Sequence, residues 1–117
     1  MATDHRKLST FTLADEFVVR VYEITHAFPV AERFGLQSQA RRAAVSVATN
    51  IVEGCARDSD REHARFFEIA LGSCREAIYL IDLSSRLKLL DPKLAAEVTL
   101  FGGRVAAALA ALRKSIS

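Results

Sequence analysis

From Ser59 to Pro92 the chain offers no point at which a helix must stop, and this stretch limits the fold more than any other feature. It opens on Ser59-x-x-Glu62, where a serine hydroxyl can accept a backbone N–H in the first turn while the glutamate reaches back. It closes on Asp91-Pro92, a helix cap followed by the residue best suited to a first helical position. A helix of about 30 residues is about 45 Å long, so the chain must be a rod with long flanks. Of the 25 residues from Phe66 to Leu90, 15 are apolar, and they fall on more than one helical face. A monomeric bundle buries one stripe per helix, so the surplus predicts contact with another subunit.

The rest of the chain supplies three more helices. Leu13, Phe17, Val21, Ile24 and Phe28 recur at helical spacing behind Thr12 and Asp15, which read as a capping box, and Pro29 ends the run. Residues 1–11 lack periodicity and read as a flexible N-terminal tail, leaving 12–117 as the bundle domain. After a connector from Pro29 to Gly35, Leu36, Ala40, Ala43, Ala44, Val47 and Ile51 mark a second helix, with Gly54 where a stop signal belongs. The last helix carries Leu94, Val98, Phe101, Val105, Ala108, Leu112 and Ile116 as a seam. Gly102-Gly103 interrupts that seam, as a tolerated weakness or as a place where another backbone comes close. Its seven alanines also allow close approach. No strand pattern competes, and short connectors make sequential helices antiparallel neighbours. The expected fold is therefore all-α: an antiparallel, up-down-up-down, left-handed four-helix bundle.

Composition removes several functional classes. Charged residues are 26% and hydrophobic residues 50% of the 117, which argues against disorder. The net charge of +2 is too small for a dedicated polyanion binder, although the basic set of 12 Arg against 4 Lys favours forked contacts to carboxylate or phosphate. The longest charge-free run, Ala43 to Val52, is too short to span a membrane, and the N-terminus lacks a signal-peptide core. Cys55 and Cys74 are not spaced as a metal or redox pair and suit a reducing compartment. A cytoplasmic location without a membrane partner is the expectation.

Candidate chemistry is sparse. Glu23-x-x-His26 has the spacing of di-iron bundle ligands, but there is no second copy and both residues point away from the core stripe. His5, His26 and His63 are scattered, with His63 expected on the surface. Gly72-Ser73-Cys74 lies in mid-helix and is no nucleophile elbow. No cofactor, metal site or catalytic residue is expected. An enzyme or metal protein with an unrecognised site is the alternative to an interaction protein.

Two polar groups stand out. Arg42, Ser46, Asn50 and Glu53 step along the second helix beside its apolar face, as a network that fixes helix packing or subunit register. A turn centred near residue 57 sets Arg42 opposite Gly72, one turn from Glu68 and Glu76, so Arg42 is expected to pair with one of these acids. Arg41, Arg57, Arg61 and Arg65 are placed around the end that joins helices two and three, as candidate phosphate contacts diluted by Glu53, Asp58, Asp60 and Glu62. No aromatic platform is expected among them, so any nucleic-acid binding should be weak and blind to base identity.

Phe28-Pro29-x-x-Glu32-x-Phe34-Gly35-Leu36, then Gln39-x-Arg41-Arg42-Ala43-Ala44-Val45-Ser46-Val47 and Asn50-Ile51-x-Glu53-Gly54, resembles the four-helix-bundle proteins encoded by 23S rRNA intervening sequences. Arg57, Phe66-Phe67-x-Ile69-Ala70 and Gly72-Ser73-x-x-Glu76 extend the match to residues 11–115. Ala48 stands where the family commonly has proline. The resemblance implies a bacterial homopentameric ring with no established enzymatic activity. Through a similarity to accessory proteins of diversity-generating retroelements, it also implies nucleic acid or a nucleoprotein as a client; those proteins are strongly basic and this chain is not. The functional expectation is a non-enzymatic pentameric scaffold with a protein or nucleic-acid client.

Overall fold

The computed structural model describes residues 3–116, apart from the side chain of Lys7. Four helices, α1 (Ser9–Thr25), α2 (Ser38–Cys55), α3 (Asp60–Arg86) and α4 (Pro92–Ser115), make an all-α bundle, and helix of all kinds occupies 85% of it. Each helix contacts the next, and α1 contacts α4, so the four form a square in chain order. The molecule measures 45 × 23 × 19 Å, the rod that the length of α3 requires.

Two of the helix starts follow local chemistry. Ser59 accepts the Glu62 N–H at 3.2 Å and Asp91 accepts the Leu94 N–H at 3.0 Å, with Pro92 in the first turn of α4. The connector between α1 and α2 contains a 3-10 turn, Val30–Glu32, and a wide turn, Arg33–Gln37, broken at Gly35. The Glu32 carboxylate accepts the Leu36 N–H at 3.3 Å, and a Cβ on Gly35 would lie 2.8 Å from that same oxygen. Glycine is what lets the carboxylate reach across this turn.

The start of α1 departs from expectation. It lies three residues upstream of Thr12, with Leu8 before it and no side-chain cap, so the Thr12–Asp15 pair sits inside the helix. Residues 3–8, expected as tail, contact the bundle: the Thr3 N–H donates to the Cys55 carbonyl at 2.8 Å, Asp4 caps a short 3-10 turn (His5–Lys7), and Leu8 packs on the core. Residues 1, 2 and 117 of the expected tail and bundle lie outside the described residues.

The end of α3 also differs. The helix stops at Arg86, because Lys88 adopts a left-handed conformation with φ of 64°. The Lys88 N–H donates to Ser85 O and the Leu89 N–H to Ser84 O, both at 2.9 Å. These two bonds satisfy carbonyls that the last turn would leave open, a closure usually given to glycine.

The core is continuous. Phe17, Val21, Ala44, Val47, Ile51, Cys74, Ile81, Val105 and Leu109 are fully or almost fully buried. Leu94, expected at the head of the α4 seam, is 51% exposed, and Ala95 takes the inward position. α4 is long and apolar enough, by length and composition, to cross a membrane, a property that a search for charge-free runs misses. Here Val98, Phe101, Val105 and Leu109 face the bundle core instead.

The glycine pair divides: Gly102 is a place of close approach, by side chains and not by another backbone as expected, and Gly103 is the tolerated weakness. A Cβ on Gly102 would stand 2.7 Å from Ile78 Cγ1 and 3.0 Å from Phe17 Cε1, whereas one on Gly103 would meet nothing. Gly54 is not a stop signal: it lies inside α2 with ordinary φ, and a Cβ there would be 2.9 Å from the Phe67 ring.

Candidate functional site

The polar stripe on α2 is only partly a network. Ser46 and Ser73 hydroxyls meet at 2.8 Å across α2 and α3, and the Asn50 amide donates to the Ser46 carbonyl at 2.8 Å and to its hydroxyl at 3.0 Å. Glu53 turns away and accepts from Arg57 at 2.6 Å, an exposed pair one turn apart. Arg42 makes no ion pair with a described residue. It lines a shallow groove of about 340 Å³ with Phe34, Gln39, Ser46, Ser73 and Glu76. The expected Arg42–acid bond within the chain is therefore absent, although Glu76 does share its groove. The Ser46–Ser73 contact centres the α2–α3 pairing between Ser59 and Asp60, not at residue 57, and so places Arg42 level with Ala77.

The four candidate phosphate contacts do not form one cluster. Arg41 lies near the N-terminus of α2, about 24 Å along the helix from Arg57 at 1.5 Å per residue. It donates to Thr25 Oγ1 at 2.9 Å and to the Tyr22 carbonyl at 3.2 Å, and stacks 4.4 Å from the Tyr22 ring. A cation there satisfies the C-terminal carbonyls of α1, so its role is structural. Arg57 and Arg65 both approach the Phe66 ring, at 5.1 and 5.8 Å from its centre. Basic residues here do keep company with an aromatic ring, contrary to the sequence expectation. Arg61 and Arg65 line a cleft with Asp60, Glu68 and Arg113, where Arg113 and Glu68 pair at 2.8 Å.

His63 is buried, not on the surface. Its Nε2 lies 2.6 Å from the Arg57 carbonyl, which can only accept, so the proton sits on Nε2, while Nδ1 is 3.9 Å from Asp60. It stacks on Phe67 and shares a small apolar cavity with Cys55, Leu8 and Leu112. Burial pushes the Cys55 thiol upward and holds the Cys74 thiol at about 11, the opposite of nucleophile activation. Glu23 and His26 are both exposed. Among the described residues no group of three or more His, Cys, Asp or Glu is placed to hold a metal ion.

Large apolar residues are exposed on both broad faces of the rod. Phe34 is 90% exposed on the α2–α3 side and Val19 53% on the α1–α4 side, while α3 exposes Ile69 (42%) and Tyr79 (56%) and α4 exposes Leu100 (75%). Between α1 and α4 runs a groove of about 510 Å³ whose apolar wall is Val19, Leu94 and Val98 and whose rim carries Glu23 and Glu97. Sequence periodicity misses Phe34, Val19 and Leu100, because a connector aromatic and a helix flank carry no core stripe, whereas Ile69 and Tyr79 belong to the apolar surplus of α3 that the sequence shows.

A solved structure of a protein of unknown function from the S23 ribosomal protein family of Bacteroides thetaiotaomicron shares the fold, with a TM-score of 0.79 at 22% identity, covering 90% of this chain and 98% of that one. No curated relative matches the chain. The sequence matches the 23S rRNA-intervening sequence protein family over residues 6–110, nearly its whole length, and the chain belongs to that family.

Proposed function

We propose that this protein is a non-enzymatic scaffold that works as a ring of identical four-helix bundles and presents its outer surface to a protein or nucleic-acid client. The observation that carries this is the exposed apolar surface on two opposite flanks, with Phe34 90% accessible on one and Val19 53% on the other. Scattered apolar residues are ordinary on a surface, but aromatic residues on an ordered turn and beside open grooves are the usual anchors of protein contacts. The two buried thiols and the dispersed histidines offer no activated group that would support catalysis. The number five follows from the family resemblance alone.

Light scattering at low micromolar concentration tests the reading, with about five subunits per particle expected. A stable monomer at tens of micromolar would overturn self-association. A stable dimer would preserve association and remove the stoichiometry.

A further inference from the structure

The two outer flanks are complementary in shape and charge, and the complement lies on opposite sides of one chain. On the α2–α3 side, Phe34 projects from the wide turn, 90% exposed. Its position is fixed, because Glu32 holds the Leu36 N–H within the same turn and Gln37 donates to the Thr25 carbonyl at 2.9 Å. A projecting ring on an anchored turn loses little freedom when it docks. Beside it stands Arg42, which has no ion-pair partner among the described residues. On the α1–α4 side, the groove offers a half-exposed apolar wall, Val19 and Leu94, between two carboxylates, Glu23 and Glu97. Neither carboxylate makes an ion pair with a described residue; Glu16, the groove's other acid, is already bound to Arg20 at 2.6 Å.

The heights along the rod agree as well. The Ser46–Ser73 contact, the Cys74–Gly102 contact and the approach of Phe17 to Gly102 put these residues at one level. Arg42 lies four residues from Ser46 toward the α1–α2 connector, and Val98 lies four residues from Gly102 toward the same end, each about 6 Å away at 1.5 Å per residue. Arg42, which shares a groove with the projecting Phe34, is thus at the height of the α1–α4 groove on the opposite flank.

Resting on the self-association reading above, we propose that Phe34 of one copy inserts into the α1–α4 groove of the next, with Arg42 facing the Glu23–Glu97 rim. Each copy gives one projection and accepts one, which makes the contact head-to-tail, not two-fold. Because the two elements share a level, the rods stand side by side without a shift along their axes, which removes the climb of a helical filament; a constant turn at each contact then closes the row into a ring.

The test uses two variants that leave the core alone. Phe34→Ser removes the projection, and Leu94→Glu blocks the groove; both positions are at least half exposed, and circular dichroism should show unchanged helicity for each. In sedimentation velocity each variant alone should lose self-association by about 30-fold or more, as expected for a central aromatic anchor. Mixed, they should form a one-to-one heterodimer and nothing larger, since one intact junction remains between an unmutated Phe34 and an unmutated groove. As an independent readout, Phe34→Cys combined with Leu94→Cys should cross-link under mild oxidation into a ladder that ends in a closed ring, with Cys55 and Cys74 buried and silent. Wild-type assembly in the Phe34→Ser variant, or failure of the two variants to pair, would overturn this contact while self-association stands. A monomeric wild-type protein would overturn both, and a groove that instead binds only a basic peptide would replace the second copy by a client.

Discussion

The Cys74 thiol donates to the Gly102 carbonyl at 3.4 Å, so α3 and α4 cross with a side chain of one directly on the backbone of the other. That approach is open because Gly102 has no side chain. Its missing Cβ would stand in the space of Ile78 and Phe17, both packed into the same junction.

The neighbouring glycines should therefore respond in opposite directions. Gly102→Ala forces Ile78 and the Phe17 ring apart and should destabilise the fold by about 1–3 kcal/mol, the range for overpacked cores. Gly103→Ala meets nothing and gains helix propensity, stabilising by up to about 1 kcal/mol. Urea unfolding of the two variants checks the contrast. Equal effects of the same sign would mean that α3 and α4 are not in contact at Gly102.

Alkaline pH should weaken the fold through the same junction. The Cys74 thiol is held at about 11 by burial, against an ordinary value of 9.0. Between these values the unfolded chain loses the proton and the folded chain keeps it, so the folded state binds more protons and stability falls as pH rises. Burial shifts Cys55 in the same direction. Thermal melts of the wild type should drop from pH 9 upward, and Cys74→Ala should flatten that slope. In the folded protein at pH 8 both thiols should alkylate far more slowly than in denaturant.

Legibility in the sequence followed the strength of local signals. The starts of α3 and α4 were readable because Ser59 and Asp91 supply acceptors where backbone donors need them. α1 begins without a side-chain cap, held by Leu8 on the core, and packing of that kind leaves no motif. The polar stripe was readable as a stripe, since helical spacing alone places Ser46 beside Asn50. Its partners were not, because they depend on where two helices meet. Ser46–Ser73 moves that meeting point by more than half a turn from the midpoint of the connecting segment, enough to change what faces Arg42. Arg41 was misplaced for a related reason: neighbours in a list of arginines can lie at opposite ends of one helix. Phe34 carried no signal at all, since periodicity says nothing about a residue in a connector.

Lys88 is the clearest point at which the chain departs from the residue its backbone prefers. It sits at φ of 64°, where a Cβ crowds the following carbonyl. Replacing it with glycine should stabilise the protein by about 1 kcal/mol, because the left-handed conformation strains side-chain-bearing residues by about that amount. The side chain is exposed, so no packing opposes the gain. Thermal unfolding should shift upward by a few degrees. No gain, or a loss, would show that the ending of α3 at Arg86 does not depend on that conformation.

Nucleic acid, if it is the client, should meet the end of the rod where α2 joins α3, and the structure narrows the residues that can do it. Arg41 is committed to the α1 terminus and Arg57 to Glu53. Arg61 and Arg65 have no ion-pair partner among the described residues, and they share a cleft with Arg113. Asp60 and Glu68 line the same cleft and dilute its field, so one chain should bind weakly. The proposed ring would repeat the patch in every subunit, and several weak sites on one particle act together when a single strand can reach them. Contacts to phosphate release counterions, so affinity should fall by about 10-fold or more between low and physiological salt. Phe66 already engages Arg57 and Arg65 and is not part of the Arg61–Arg65 cleft, so single-stranded DNA and RNA of different sequence should bind alike. Labelled oligonucleotides titrated at two salt concentrations measure this, with Arg61→Glu and Arg65→Glu as the charge reversals and Arg41→Gln as a control that should affect helix packing more than binding. Binding that ignores both salt and the reversals would reject the cleft as a phosphate site. Absence of binding by the assembled wild-type ring at low salt would leave a protein as the client.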